Sequence, residues 1–471
     1  MLIKYLSLVA LCGAPVFFAG CAALPPESRM GEAGDAPHRW SSTKAGRAGI
    51  DDRWVNRFGG RDLRGLVAEA YAANHNLRAA ASRVERASGV ARGAGAAARP
   101  QVDAALSAAR GKRNFIGFPG VGGSNISTTY GATLNLNWEV DLWGKIRAGE
   151  EAAVADLQAE GYTYRGARAS LAGQVVRTWL LIAEANEQIA LAKESKKVRG
   201  DTAELIRSRF ELATGQEGAT ASQLRLAETD LATAEARLAE NKGQRDQAIR
   251  QLEILLGRYP SGDLVGSADL PDVPPMPPAG LPSELLMRRP DILAAERRLA
   301  AAGRRVEEAQ LAYFPSFPLT ASAGTSTEQL SNIFDSSFGV WSIAGRAVQP
   351  ILSGGRLKSA EEVQTANEKE ALSNLQQTVL EGFGEVETAL AADRYLAQRE
   401  QATTEAFRLA QESSESSEED FTLGTGDVLT LLSAQNRRIE LASQRLTLRR
   451  LRLENRVNLH LALGGDYKIS K

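Results

Sequence analysis

The side chains that could do chemistry are few, and their spacing limits them further. There are two cysteines, Cys12 and Cys21. Cys21 follows Ala19 and Gly20 at the end of the apolar stretch that starts at Leu6, with Lys4 ahead of it. Charge, apolar core and small residues in that order predict a cleaved export signal over residues 1–20. Cys12 leaves with the signal, so the remaining chain carries one thiol, enough for neither an intrachain disulfide nor a cysteine metal site. Three histidines occur, His38, His75 and His460, none in a metal-ligand spacing. His460 falls on a heptad position, which predicts packing. No Gly-x-Ser-x-Gly and no Gly-x-x-x-x-Gly-Lys-Ser/Thr stretch is present. Acidic residues are plentiful but make no pair that could be placed in a cleft, and Glu415, Glu418, Glu419 and Asp420 read as a solvated helix face. The expectation is therefore no enzyme, no metal and no cofactor.

If catalysis is not the task, the chain's elements must carry the function. Lys plus Arg number 56 and Asp plus Glu 57, a balance that does not point to nucleic acid. Aromatic residues are 6% of the chain while Ala and Leu are abundant, which favours long helices. After the signal no run of 18 apolar residues appears, so a membrane crossing has to be a closed β-barrel. Strand candidates exist. Tyr130, Ala132, Leu134, Leu136, Trp138 and Val140 alternate with Gly131, Thr133, Asn135, Asn137, Glu139 and Asp141. The alternation predicts a strand over about 128–141, and weaker alternation predicts others over about 100–110, 316–325 and 338–351. Gly111–Ile126, rich in glycine, and Ser326–Ser337 read as the connecting loops, facing the cell exterior. Arg346 falls near the apolar register of the fourth strand. A half-buried soluble sheet has the same alternation. The export signal, the strand lengths and the aromatic ends at Tyr130, Trp138 and Trp143 point instead to the membrane. Four strands cannot close a barrel, so several subunits have to pool theirs.

The chain is also built twice. Phe210–Gly215 answers to Phe421–Gly426, and Leu255-Leu256-Gly257 to Ala462-Leu463-Gly464, at an offset near 210 residues. The resulting organisation is an N-terminal extended segment over 21–60, repeat one over 61–265, a proline-rich linker over 266–282, repeat two over 283–465 and a tail over 466–471. Helical periodicity runs from about Lys145 to Leu212, a length on the order of 100 Å. Leu224, Leu231, Leu238 and Leu252 recur at sevens with Arg245 interrupting, Ala227, Ala234, Ala248 and Leu255 form a second seam with Asn241 interrupting, and Leu432, Ile439, Leu446, Leu453 and His460 repeat likewise. Such heptads predict coiled-coil packing. Glycine-bearing turns, Gly215 with Gly218 and Gly424 with Gly426, would end the long helices at hairpin tips. The fold class is thus α+β: a long coiled-coil tunnel plus four strands per protomer pooled into an oligomeric β-barrel, with internal duplication.

Several segments resemble one family in order and spacing. Asp141-Leu142-Trp143-Gly144 with Arg147 looks like a strand-to-helix junction of the TolC-like outer membrane factors. Arg288-Arg289-Pro290-Asp291-Ile292 with Ala295-Glu296, Tyr313-Phe314-Pro315-Ser316, Pro350-Ile351-Leu352 with Gly354-Gly355-Arg356, and Leu431-Leu432-Ser433-Ala434-Gln435 are similar to its later signatures. Phe18-Ala19-Gly20-Cys21 is similar to a lipobox, placing the chain in the lipidated branch, with S-diacylglycerol and N-acyl groups on Cys21. The resemblance implies a homotrimer with a barrel of about twelve strands in the outer membrane and a helical tunnel in the periplasm. It implies docking at the tips onto a periplasmic adaptor and an inner-membrane pump of the RND type, which supplies the energy. It also implies that tip acids, Asp427 with Asp420 and Glu418, form a ring that influences cation passage. The function expected is a passive duct exporting drugs or other toxic small molecules. A duct for type I protein secretion and a non-conducting envelope spacer are the alternatives.

Overall fold

The computed structural model describes residues 26–42, 53–115, 123–212, 219–264, 269–280 and 282–465. The export signal, Cys21, Gly215, Gly218 and the 466–471 tail lie outside the described residues. Helices α1 (Asn56–Ala73) and α2 (His75–Ala96) precede strands β1 (Gln101–Phe115) and β2 (Gly123–Glu139). Then come α3 (Lys145–Glu211), α4 (Ala221–Leu255), the short α5 (Pro282–Leu285) and α6 (Pro290–Leu311). Strands β3 (Pro318–Thr327) and β4 (Gly339–Gly345) follow, and α7 (Arg356–Thr422) and α8 (Val428–Ala462) complete the chain. The duplication is visible in the lengths: α3 and α7 have 67 residues each, α4 and α8 have 35, and α2 and α6 have 22.

Two compact units emerge, and each draws on both repeats. One comprises Ala91–Val154 and Arg304–Glu361, the other Ser28–Val90, Ala155–Gly303 and Glu362–Lys471. The sequence repeats are therefore not the spatial units, because each repeat contributes two strands to one unit and a helical hairpin to the other.

In the first unit the strands form one antiparallel sheet in the order β1-β2-β3-β4. The strands begin and end away from the expected positions. β1 and β2 pair from Gln101↔Asn137 to Phe115↔Gly123, so most of Gly111–Ile126 is ladder and not loop. β4 is short, and beyond it a single bridge pairs Ser316 with Val348. Arg346 lies past β4, its N–H bonded to the Pro318 carbonyl at 3.1 Å. That continues the Thr320↔Ala344 column and puts Arg346 on the polar face, not the apolar one. The strand-to-helix junction is set by Asp141, whose carboxylate accepts the N–H of Gly144 at 3.1 Å and of Arg147 at 2.8 Å. It thereby satisfies donors that the first turn of α3 leaves unpaired. The Trp143 indole donates to the Pro315 carbonyl at 2.8 Å, with Phe314 packed beside its ring.

In the second unit the core is built from α1, α3, α4 and α8. Trp54, Phe58, Leu63, Val67, Val175, Leu180, Leu252, Leu453 and Val457 are all buried there. Residues 53–60, expected to be extended, already turn inward and fill this core. His460 packs as its heptad position predicts, stacked on Trp54 at 5.5 Å with 15° between rings. Gly257 (φ +72°) and Gly464 (φ +75°) end α4 and α8 at equivalent places. A Cβ at Gly257 would meet the Ala73 carbonyl oxygen at 2.6 Å, and one at Gly464 the backbone of Arg288 at 3.0 Å. Both helices thus stop where only glycine permits the turn and the close approach. The linker is tied down by α8: Arg449 Nε donates to the Pro271 carbonyl at 3.2 Å and Arg456 Nε to that of Pro274 at 3.1 Å. The segment before α1 is held similarly, with the Trp40 indole donating to the Gly280 carbonyl at 3.1 Å.

Glu253, in the last turn of α4, is buried and accepts the N–H groups of Gly262, Asp263 and Leu264 at 2.8, 3.1 and 3.3 Å. The Gly262 N–H does most to hold its carboxyl below the usual range, against burial, which raises it. A depressed carboxyl stabilises above the unfolded pKa and loses that effect as pH falls through the folded one. Hydrogen exchange at the Gly262 amide is therefore expected to lose protection on acidification in the native chain. Glu253→Gln should show weak protection already at neutral pH. Equal protection in both chains at neutral pH would contradict this role.

Candidate functional site

The sheet has two chemically different faces, and the register defines them. On one stand Asp103, Ser107, Thr133, Asn135, Asn137, Thr320, Ser322 and Ser342. Ser322 and Ser342 join hydroxyls across the ladder at 3.0 Å. On the other stand Val102, Leu106, Leu134, Leu136, Trp138, Leu319, Trp341 and Ile343. Most of these apolar residues are uncovered in the single chain: Leu106 is 75% exposed, Trp341 78% and Ile343 70%, while Leu136, Trp138 and Leu319 are half-buried. An apolar face of this size has to meet lipid or protein. The edges β1 and β4 carry no strand partner among the described residues. Within lipid, unpaired edges beside an apolar face would require a further strand on each side. The sheet thus presents one polar face, one apolar face and two open edges that further strands could continue.

The second hairpin tip is fully described. α7 ends at Thr422 and α8 begins at Val428. The Asp420 carbonyl accepts the N–H groups of Thr425 at 3.0 Å and Gly426 at 2.9 Å, closing the turn around Gly424 (φ +80°). A Cβ at Gly426 would sit 2.8 Å from the Phe421 nitrogen, so the turn excludes a side chain there. Asp427 is the N-cap of α8, its carboxylate accepting the N–H of Leu429 at 3.0 Å and of Thr430 at 3.3 Å. This favourable position for a negative charge is the first reason for an acid at that point. Glu418 and Asp420 stand exposed on the last turns of α7, across the turn from Asp427. All three acids are open to solvent, and none is in an ion pair among the described residues. No group of three or more metal-ligating side chains occurs among the described residues.

Sequence reading missed the residue that pins this tip. Arg209, in the last turn of α3, donates to the Phe421 carbonyl at 2.8 Å while its guanidinium lies 4.2 Å over the Phe421 ring. Phe421 is buried with Ile206, Leu224, Val428, Leu431 and Leu432. The only sequence signal is a cation placed at a helix C-terminus, which many solvated arginines share. The first tip is described from Ala219 onward, where Thr220 and Gln223 form a reciprocal capping box at the head of α4.

The Arg289 cluster reads as structural. Arg289 is buried, donates to Asp291 at 3.0 and 2.6 Å and to Glu385 at 2.6 Å, and binds the Ala462 carbonyl at 3.1 Å. Burial alone would lower its pKa. The two carboxylates outweigh that and hold it above the usual value.

Comparison with known proteins agrees with this geometry. The family described as outer membrane efflux protein matches residues 66–258 and 281–465. The pyoverdine export outer membrane protein OpmQ of Pseudomonas putida is 30% identical, covering 92% of this chain and 92% of its own. The toluene efflux pump outer membrane protein TtgF, also of Pseudomonas putida, is 29% identical, covering 91% of this chain and 88% of its own. Among solved structures, the open state of the Neisseria gonorrhoeae MtrE outer membrane channel superposes with a TM-score of 0.81 at 27% identity. That superposition covers 94% of this chain and 97% of MtrE. A two-faced sheet with open edges, long paired helices in duplicate and a match across both repeats lead to one conclusion: this chain belongs to the outer membrane efflux protein family.

Proposed function

We propose that three copies of this chain pool their sheets into a closed barrel of about twelve strands in the outer membrane. Their long helices form the wall of a periplasmic tunnel. The assembly is a passive duct for drugs or other toxic small molecules, served by a periplasmic adaptor and an inner-membrane pump of the RND type. The supporting observation is the sheet itself: four strands, two open edges, one apolar face and one polar face. In this reading the polar face lines the lumen, the apolar face meets lipid, and diacylglycerol and an N-acyl chain on Cys21 add an anchor. No step needs an enzyme or a cofactor, since the pump supplies the energy. The pump class and the exported compound come from the family reading, because a wide duct selects little.

The narrow point is placed at the hairpin tips, where Asp427, Asp420 and Glu418 of three protomers would ring the axis. Asp427 does two jobs in this account, capping α8 and carrying charge, and two substitutions separate them. Asp427→Asn keeps the cap and removes the charge, so single-channel cation preference and blockade by multivalent cations should fall, with a stability cost of only about 0.3–1 kcal/mol from the lost charge at the helix N-terminus. Asp427→Ala removes both, costing about 1 kcal/mol of helix stability in addition. If Asp427→Asn leaves conductance and blockade as in the native trimer, the aperture charge does not reside at Asp427.

A further inference from the structure

The β1–β2 hairpin carries a charge pattern that the duct does not use. Outward from Trp138, the apolar face of β2 runs through Leu136, Leu134 and Ala132 to Tyr130. At ~3.4 Å per residue and a tilt of ~40°, Trp138 to Tyr130 covers roughly 20 Å along the barrel axis, near the height of a lipid-facing band. The next outward position on β1 is Arg110, opposite Thr128, and the one after it is Lys112, opposite Ile126. The ladder is unbroken through this region, so both cations keep the outward parity of Val102 and Leu106. Both are exposed, and neither is in a salt bridge among the described residues. No acidic residue stands opposite or beside them: the neighbours on β2 are Ser124, Ile126 and Thr128, and the sequence over 116–122 contains no Asp or Glu. β3 stops at Thr327, opposite Tyr130, so the pair stands on the part of the hairpin that projects past it.

Two unpaired cations on the lipid side, one and two rungs beyond the aromatic edge, are placed where headgroups lie. A lipid-facing cation is costly at mid-depth and cheap at the interface, where it gains from anionic headgroups. We propose that Arg110 and Lys112 form a binding site for the phosphates of an anionic glycolipid of the outer leaflet. This rests on the barrel reading above. Arg113 supplies an internal control, since its pairing with Asn125 puts it on the inward, polar parity.

The test uses the purified full-length trimer in phosphatidylcholine vesicles doped with lipid A bearing both phosphates, or with the same lipid after removal of its phosphates. Native mass spectrometry counts lipid retained on the trimer, and conductance is recorded in parallel. The native trimer should retain the phosphorylated lipid preferentially, and the preference should weaken with salt. Each of Arg110→Gln and Lys112→Gln should reduce retention about fivefold and the pair on the order of thirtyfold, while Arg113→Gln should match the native trimer. Equal retention by the double variant, or equal retention of the two lipids by the native trimer, overturns the site while conducting barrels still stand. If no form inserts or conducts in either lipid, the barrel reading fails and the site fails with it.

Discussion

Replacing Asp393 by alanine is expected to destabilise the helical unit by about 3–5 kcal/mol, the scale for removing one partner of a buried ion pair. Asp393 of α7 and Arg456 of α8 meet at 2.6 Å, and both are buried, with relative exposures of 7% and 4%. Burial pushes the guanidinium below its usual pKa, and the Asp393 carboxylate opposes that shift. Without the carboxylate, a cation remains in the interior, and among the described residues only the Pro274 carbonyl is left to bind it. The double variant Asp393→Ala with Arg456→Met removes both charges and should be markedly more stable than Asp393→Ala alone. Loss of helical circular dichroism in guanidinium would report both. If Asp393→Ala unfolds at the native midpoint, water reaches this pair and the charges are not held in a dry interior.

The second large effect separates the two sheet faces. Leu134 lies midway between the aromatic positions Tyr130 and Trp138 on the apolar face, and Asn135 is its neighbour on the polar face. Leu134→Arg should cost about 2–4 kcal/mol per strand, the penalty for a lipid-facing cation at mid-depth. Three copies in one barrel should prevent insertion into the outer membrane. Asn135→Arg should insert normally and shift the conducted ions toward anions, because it adds a ring of cations to the lumen. Heat-resistant trimer recovered from outer membranes measures the first, and reversal potential in a salt gradient the second. The same outcome for both substitutions would mean that the register does not divide lipid from lumen.

These predictions depend on features that were not equally visible in the sequence. The period of two from Tyr130 to Val140 placed β2, because an apolar face repeats wherever one side meets lipid. The same rule failed beyond Tyr130: from Arg110 to Asn114 and from Ser124 to Thr129 the residues are mostly polar on both faces. The strands pair there all the same. Arg346 was misplaced because β4 is cut short, and its parity is fixed by pairing with β3. Helix lengths and the turn at Gly424 were readable from periodicity and glycine. The heptads located the seams, with Leu432, Ile439 and Leu453 buried, while Leu231, Leu238 and Leu446 are only half-buried. Asn241, which interrupts one seam, donates to the Gln188 carbonyl at 3.2 Å, so the break is a polar contact between α4 and α3. The Asp393–Arg456 pair left no readable trace and Arg209 only that of a cation at a helix end, since a charged residue on a helix looks the same whether it faces water or a partner on another helix.

The central claim is that three of these sheets close into one conducting barrel. The most direct measurement is planar-bilayer conductance of the purified full-length protein, with its oligomeric mass determined on the same sample. The account predicts a trimer that gives discrete, cation-favouring openings, with that preference reduced by Asp427→Asn. A monomer, or a trimer that never conducts even with the tip opened by substitution, would contradict it.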